Sequence, residues 1–156
     1  MLLILAIFVI EPFSALAAGD VELDISQGSI TITSTGYSVD GGTEIDHTGS
    51  YKITQADSSV TTSNTITISG DDINVTISGL NISGGCPITI ASGSCNLIVD
   101  GNSTLMASVN QPAIRVESGK TITISGSGEL SATGGNYGAG IGGGDGGSSG
   151  TYSGRP

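Results

Sequence analysis

The sequence TITISG occupies Thr65 to Gly70 and returns, loosened, as PITIASG at Pro87 to Gly93, AIRVESG at Ala113 to Gly119 and TITISG at Thr121 to Gly126. Between these copies lie two of the same design, NVTISG at Asn74 to Gly79 and NLIVDG at Asn96 to Gly101. The copies separate into two interleaved series. One runs Ile66, Ile88, Ile114, with steps of 22 and 26 residues; the other runs Val75, Leu97, Ile122, with steps of 22 and 25. A period in this range is that of a solenoid with one coil per repeat, in which each unit buries its apolar face only by stacking on its neighbours.

Within each copy apolar and polar residues alternate, as in Ile66-Thr67-Ile68 and Ile88-Thr89-Ile90. Period two marks a strand with one buried face. A Gly follows each strand and supplies the positive φ that turns a corner. The second series places Val75/Ile77, Leu97/Val99 and Ile122/Ile124 inward, and a third short side follows with Leu80/Ile82, Leu105 near Met106, and Leu130 with Ala132. Three sides joined by tight turns predict an all-β fold, a single-stranded parallel β-helix with triangular coils of about 22 to 26 residues, for which a right-handed sense is expected. Ordering one residue costs about 1 to 2 kcal/mol, so no coil is stable alone.

The organisation expected along the chain has four parts. Leu2 to Ile10 is an apolar run followed by Ala15-Leu16-Ala17, so residues 1–17 read as a signal peptide; the run is shorter than the roughly 20 residues a membrane span needs. Residues 18–64, with weaker alternation at Val21 to Ile25, Ile30 to Thr33 and Tyr51 to Thr54, read as an N-terminal cap and first irregular coils. Residues 65–135 are the regular coils. Residues 136–156 are a Gly-rich segment in which Ile141 is the only large aliphatic residue; it reads as the start of a further coil or a truncated repeat, and the chain as the front part of a longer protein.

Charge narrows the partners. Four Lys and Arg against fourteen Asp and Glu give a net charge of -10, which cannot neutralise a nucleic-acid backbone. Gly138 to Gly143 satisfies the spacing G-x-G-x-x-G, but a Gly/Ser run follows where a dinucleotide site needs a helix, so no nucleotide is expected. Cys86 and Cys95 are the only cysteines, and export would permit a disulfide between them. A fully extended CPITIASGSC would separate them by more than the roughly 7 Å limit for a bridge, so an intrachain disulfide and two buried free thiols both stay open.

Hard oxygen ligands are concentrated at Asp40, Glu44 and Asp46 and at the Asp71/Asp72 corner, two candidate calcium sites, although no EF-hand loop is present and no cofactor is required. His47 is the only histidine, and no Ser or Cys nucleophile is marked beside it, so polysaccharide lyase or hydrolase chemistry is the least favoured reading. The outward positions form the best candidate binding surface. Thr67, Thr89 and Arg115 are expected to stack on one side; Thr76, Ile98 and Thr123 on the next; and Ser78, Asp100 and Ser125 beside those. Thr also suits any strand that faces water. Arg115 and Ile98 interrupt the regular Thr lattice that ice binding would need. Tyr37, Tyr51, Tyr137 and Tyr152 are the aromatic residues left for stacking on a sugar. Asn74, Asn81 and Asn102 each begin an N-x-[ST] acceptor pattern, which matters only in a host that glycosylates.

The run from TGSYKIT at Thr48 to Thr54, through DINVTISGLNIS from Asp72, to NLIVDGNSTL at Asn96 to Leu105, resembles the β-helical carbohydrate-binding domain of secreted proteins from anaerobic bacteria. NYGAGIGGGDGGSSG at Asn136 to Gly150 is similar to the repeated segment of large bacterial cell-surface proteins. The resemblance implies a parallel β-helix, an extracellular or cell-surface location, polysaccharide binding and in some members calcium. The resulting expectation is a secreted, non-catalytic module that binds polysaccharide. Its main rival is a structural stalk or filament subunit that self-associates through its coil ends.

Overall fold

The computed structural model describes residues 19–143 and the backbone of residues 151–154; the expected signal peptide lies outside them. The chain is an all-β solenoid of about five turns. Its first side stacks β2 (Ile30–Thr33), the start of β6 (Ile66–Ser78), the start of β8 (Ile88–Val99), β10 (Ile114–Val116) and β13 (Ile141–Gly142). The second side stacks β1 (Val21–Asp24), β5 (Tyr51–Thr54), the remainder of β6 and β8, and β11 (Thr121–Gly126). The third stacks β7 (Asn81–Ser83), β9 (Asn102–Met106) and β12 (Glu129–Thr133), with Thr62 bridging to Ile82 beneath them. All these pairings are parallel.

Inward residues line up coil over coil. Ile30, Ile66, Ile88 and Ile114 form one column and Ile32, Ile68 and Ile90 a second. Ile53, Ile77 and Val99 form a column on the second side, and Ile82, Leu105 and Ala132 one on the third. Every one of these side chains is at most 1% exposed. Parallel coils lie about 4.8 Å apart, so each aliphatic group sits in van der Waals contact with its counterpart above and below. The one buried polar side chain among the described residues, Ser103, stands where the neighbouring coils carry Leu80 and Leu130. Its hydroxyl accepts a hydrogen bond from the Leu80 amide at 3.2 Å, so a donor at the start of β7 is satisfied inside the core.

The first series keeps the expected register, Ile66 to Ile88 to Ile114. The second does not in its last step: Leu97 pairs with Ile124, while Ile122 pairs with Cys95. The shift is two residues. From Ile88 to Leu97 is 9 residues; the expected pairing with Ile122 needs 8 from Ile114, one fewer, whereas the observed pairing with Ile124 uses 10, one more, through the turn at Glu117 to Lys120. Ile122 and Ile124 both stay on the inner face, since a slip of two preserves the alternation.

The N-terminal end carries a cap made from residues expected to be irregular. β2 turns back through Ser34 and Thr35 into β3 (Gly36–Val39), which pairs antiparallel with it, and β4 (Ile45–Asp46) pairs antiparallel with β3. The first rung of the first side is thus covered by a meander and not left as an open edge. Tyr37 and Tyr51 meet edge-on with His47 beneath it, at centroid separations of 6.2 Å for the two tyrosines and 5.0 Å for His47 and Tyr51. The Tyr51 hydroxyl donates to the carbonyls of Gly36 and His47, which ties the cap to the second side. At the other end β13 pairs parallel with β10 through Ile141 and Gly142, and β14 (Thr151–Gly154) runs antiparallel along β12.

β6 and β8 run from the first side into the second without a break, bent at bulges between Ile68 and Ser69 and between Gly70 and Ile73. The left-handed residue at this corner differs between coils: Asp72 (φ 54°) in β6 and Gly93 (φ 70°) in β8. Asp tolerates that conformation because its side chain bonds locally; Asp72 donates its amide to Ser94 Oγ at 2.8 Å and accepts from the same hydroxyl at 3.1 Å. At Gly93 a Cβ would collide with the Gly70 carbonyl of the coil below. Gly119 (φ 75°) occupies the next corner with open space around it. Gly119→Ala should therefore cost about 1 to 2 kcal/mol, the left-handed penalty alone. Gly93→Ala should cost clearly more, because the coils must also separate. Urea unfolding of the two variants reads the difference, and equal losses would contradict the crowding at Gly93.

Candidate functional site

Because inward positions are fixed by the core, the outward residues of the first side are fixed as well. Ser38, Thr31, Thr67, Thr89 and Arg115 fall opposite one another across five hydrogen-bonded strands, β3, β2, β6, β8 and β10. A second outward row holds Thr33, Ser69 and Ser92. The Thr67, Thr89 and Arg115 alignment is as the sequence predicts; Thr31 and Ser38 extend it into the cap. Four steps of about 4.8 Å give the row a length of about 19 Å.

Arg115 closes the row as a fixed group and not a free cation. Its guanidinium donates to Gln111 Oε1, lies 3.7 Å from a Glu117 oxygen, and keeps its Nε buried without a partner. The Thr89 hydroxyl donates to Cys86 Sγ at 3.4 Å, which leaves its lone pairs free to accept from a ligand.

The second side does not present the arrays expected from sequence. Thr76 and Ile98 stack, but the coil above places Ser125 over them, with Lys52 and Glu22 below. Thr123 falls two residues away from its expected column and stacks on Asn96 and Asn74. Of those two, Asn96 donates its side-chain amide to Asn74 Oδ1 at 3.0 Å, a single bond between adjacent coils. Asp100 does sit over Ser78, whose hydroxyl donates to its backbone carbonyl at 2.6 Å, while Ser125 lies elsewhere. Ile98 is 37% exposed, so this side is interrupted by an apolar group.

At the corner of the two sides, against the cap, lies a polar cleft of about 250 Å³ lined by Thr33, Ser34, His47, Thr48, Ser50, Tyr51, Asp71, Asp72 and Asn74 among others. Thr33 lies both in this cleft and in the outward row, but its hydroxyl is used within the turn from β2 to β3, where it donates to the Gly36 carbonyl and accepts from the Thr35 and Gly36 amides. His47 ring Nε2 bonds the Ser50 carbonyl at 3.2 Å. Sequence reasoning placed Asp71 and Asp72 at a corner but missed that the cap brings His47 and Tyr51 to them. A chain separation of 20 residues or more hides this proximity.

The carboxylates considered as calcium ligands are dispersed. Asp40, with φ 52°, follows β3, Glu44 accepts from Thr35 Oγ1 at 2.7 Å, and Asp46 lies in β4. Among the described residues no three His, Cys, Asp or Glu side chains converge to hold a metal ion. Of the tyrosines, Tyr51 is buried and Tyr37 is packed in the cap, whereas Tyr137 is 70% exposed; the side chain of Tyr152 lies outside the described residues.

Both cysteines are free thiols. The extended strand holds them apart: Cys95 is in the core opposite Ile73, and Cys86 precedes β8 with its Sγ bonded to the Ile88 carbonyl at 3.2 Å. Burial pushes the Cys95 thiol up to about 12 and raises the Tyr51 hydroxyl above its ordinary value. Both groups hold protons in the folded state that the unfolded chain releases from about pH 9 upward, so their contribution is complete below that pH and is lost as pH rises toward 12. Unfolding midpoints in urea should fall between pH 9 and 11, and Cys95→Ala should flatten that fall. An aromatic disulfide reagent should label Cys86 alone in the native state; two labelled thiols would contradict the burial of Cys95.

No family model, curated protein or solved structure matches this chain, so the two faces and the cleft are the basis for any functional reading.

Proposed function

We propose that this protein is an exported, cell-surface β-solenoid that binds polysaccharide without cleaving it, along the outward face of the first side. The observation that carries the reading is the row Ser38, Thr31, Thr67, Thr89, which repeats a hydroxyl on every strand and is flanked by a second row at Thr33, Ser69 and Ser92. Two coil steps, about 9.6 Å, approach the two-sugar repeat of a flat, extended β-linked glycan. A chain lying along the solenoid axis would meet donors and acceptors in the same orientation at each repeat. A hydroxyl both donates and accepts, as does a sugar hydroxyl, which suits this surface to neutral or amine-bearing chains. The net charge of -10 disfavours uronate-rich ones.

Binding ranks above end-to-end stacking because the β3–β4 meander covers the first rung of the first side. It ranks above catalysis because the ring of the only histidine bonds a backbone carbonyl and no nucleophile. The test is a panel of immobilised plant and microbial glycans followed by calorimetry on whichever is retained. Thr67→Val and Thr89→Val keep the β-branched shape and remove the hydroxyl. Each should weaken binding about two- to tenfold, the worth of one hydrogen bond, whereas Thr123→Val on the second side should leave affinity unchanged. A folded protein retained on no glycan would refute the reading.

A further inference from the structure

We infer that Tyr137 is a stacking platform for a pyranose ring at the upper end of the hydroxyl row. Its role rests on the binding reading above. The corner between the third and first sides changes length along the solenoid. Ser83 to Ile88 is a step of five residues, but Met106 to Ile114 and Thr133 to Ile141 are steps of eight, although these residues pair coil to coil. The added residues form two stacked turns. In the lower one the Gln111 amide donates to the Ser108 carbonyl at 3.0 Å, and in the upper one the Gly138 amide donates to the Gly135 carbonyl at 2.7 Å. Bonds from the Asn110 amide to the Asn136 carbonyl at 2.8 Å and from the Gly135 amide to the Gln111 carbonyl at 3.0 Å join the two.

The third residue of each turn is left-handed: Asn110 with φ 64° and Tyr137 with φ 67°. Asn tolerates this conformation, whereas a bulky side chain is strained by it. Tyr137 takes it in a stretch with glycines at 134, 135, 138 and 140, any of which would be free of the strain. Packing does not offset it, since the side chain is 70% exposed. Backbone preference and burial both disfavour Tyr here, so the contact that it serves lies outside the chain.

The turns stand beside the end of the hydroxyl row. Gln111 accepts from the Arg115 guanidinium of the row through Oε1, and from the upper turn through its carbonyl. Above Arg115 the row continues as Gly142, which has no side chain to obstruct a ligand between Arg115 and the upper turn. Of the neighbouring side chains, Val109 and Met106 are exposed as well. One ring and two aliphatic groups fall far short of the about 800 Å² per partner that a stable protein interface buries, but match a single sugar. The C–H face of a β-linked pyranose with equatorial substituents packs on an aromatic face, while its rim of hydroxyls keeps its hydrogen bonds to water, to Arg115 and to the row.

Tyr137→Gly removes the ring and the left-handed strain together. It should raise the urea midpoint and yet weaken binding of a β-linked glucose or N-acetylglucosamine hexamer by about tenfold in calorimetry, whereas Tyr137→Phe should stay within about twofold of the native affinity. Because the chain contains no Trp, tyrosine emission reads the contact: saturating hexamer should change the emission of the native protein and leave that of Tyr137→Gly unmoved. A lower midpoint in Tyr137→Gly would make the ring a structural group and overturn the platform. Unchanged affinity in Tyr137→Gly, with Thr67→Val weakened as above, would overturn it while leaving the row standing. Binding of neither hexamer by the native protein would overturn it too, and with no glycan retained from the panel the binding reading falls as well.

Discussion

Everything in this structure depends on the registered stacking of one coil on the next. Each strand satisfies its backbone donors and acceptors on the strands above and below, and the aliphatic columns such as Ile30, Ile66, Ile88 and Ile114 bury surface only because that pairing aligns them. Neither contribution is available to a lone coil. The same constraint fixes the exterior. Once Ile66 and Ile68 point inward, Thr67 must point outward and stand over Thr31 and under Thr89. The outward face of the first side is thus a by-product of the core, and its period comes from the parallel ladder.

Corners are where this regularity is negotiated. In one coil Asp72 takes the left-handed conformation and bonds Ser94; in the next Gly93 takes it, pressed on the Gly70 carbonyl. A longer turn through Glu117 to Lys120 then shifts the second side relative to the first. Such offsets leave the inner face apolar but change which outward residues become neighbours. On the second side the offset puts Ser125 in place of Thr123 over Ile98; the column below it is mixed because Glu22, Lys52 and Ile98 hold its outward positions, while the first side stays uniform in hydroxyls as far as Arg115. A polar cleft forms where the cap folds against one such corner.

The fold was legible because its signals are local and repeated. Alternation gives the strands, Gly marks the corners, and a spacing of 22 residues gives the coil. Two things were not legible, for physical reasons. Ile122 and Ile124 are equivalent in hydrophobic pattern, so alternation cannot choose between pairing Leu97 with one or the other; the turn length decides, and sequence does not reveal which turn residues bulge. The cap lacks the repeat altogether. Its Asp40-Gly41 turn fits a hairpin, but the acids around it draw attention to metal binding instead, and the meeting of His47, Tyr51 and Asp71 requires the second side to exist first. The candidate face was therefore readable for the first side, where Thr67, Thr89 and Arg115 fall as expected, and misread for Thr123.

The central claim is that the outward first side, with Tyr137 at its upper end, forms the functional face. Amide chemical-shift mapping during titration with a retained oligosaccharide tests it most directly. The account predicts that perturbations concentrate at Thr31, Thr33, Thr67, Thr89 and Tyr137, leaving Asn74's partner Asn96 and Thr123 unmoved. Perturbations confined to the second or third side, or spread evenly over all three, would contradict it.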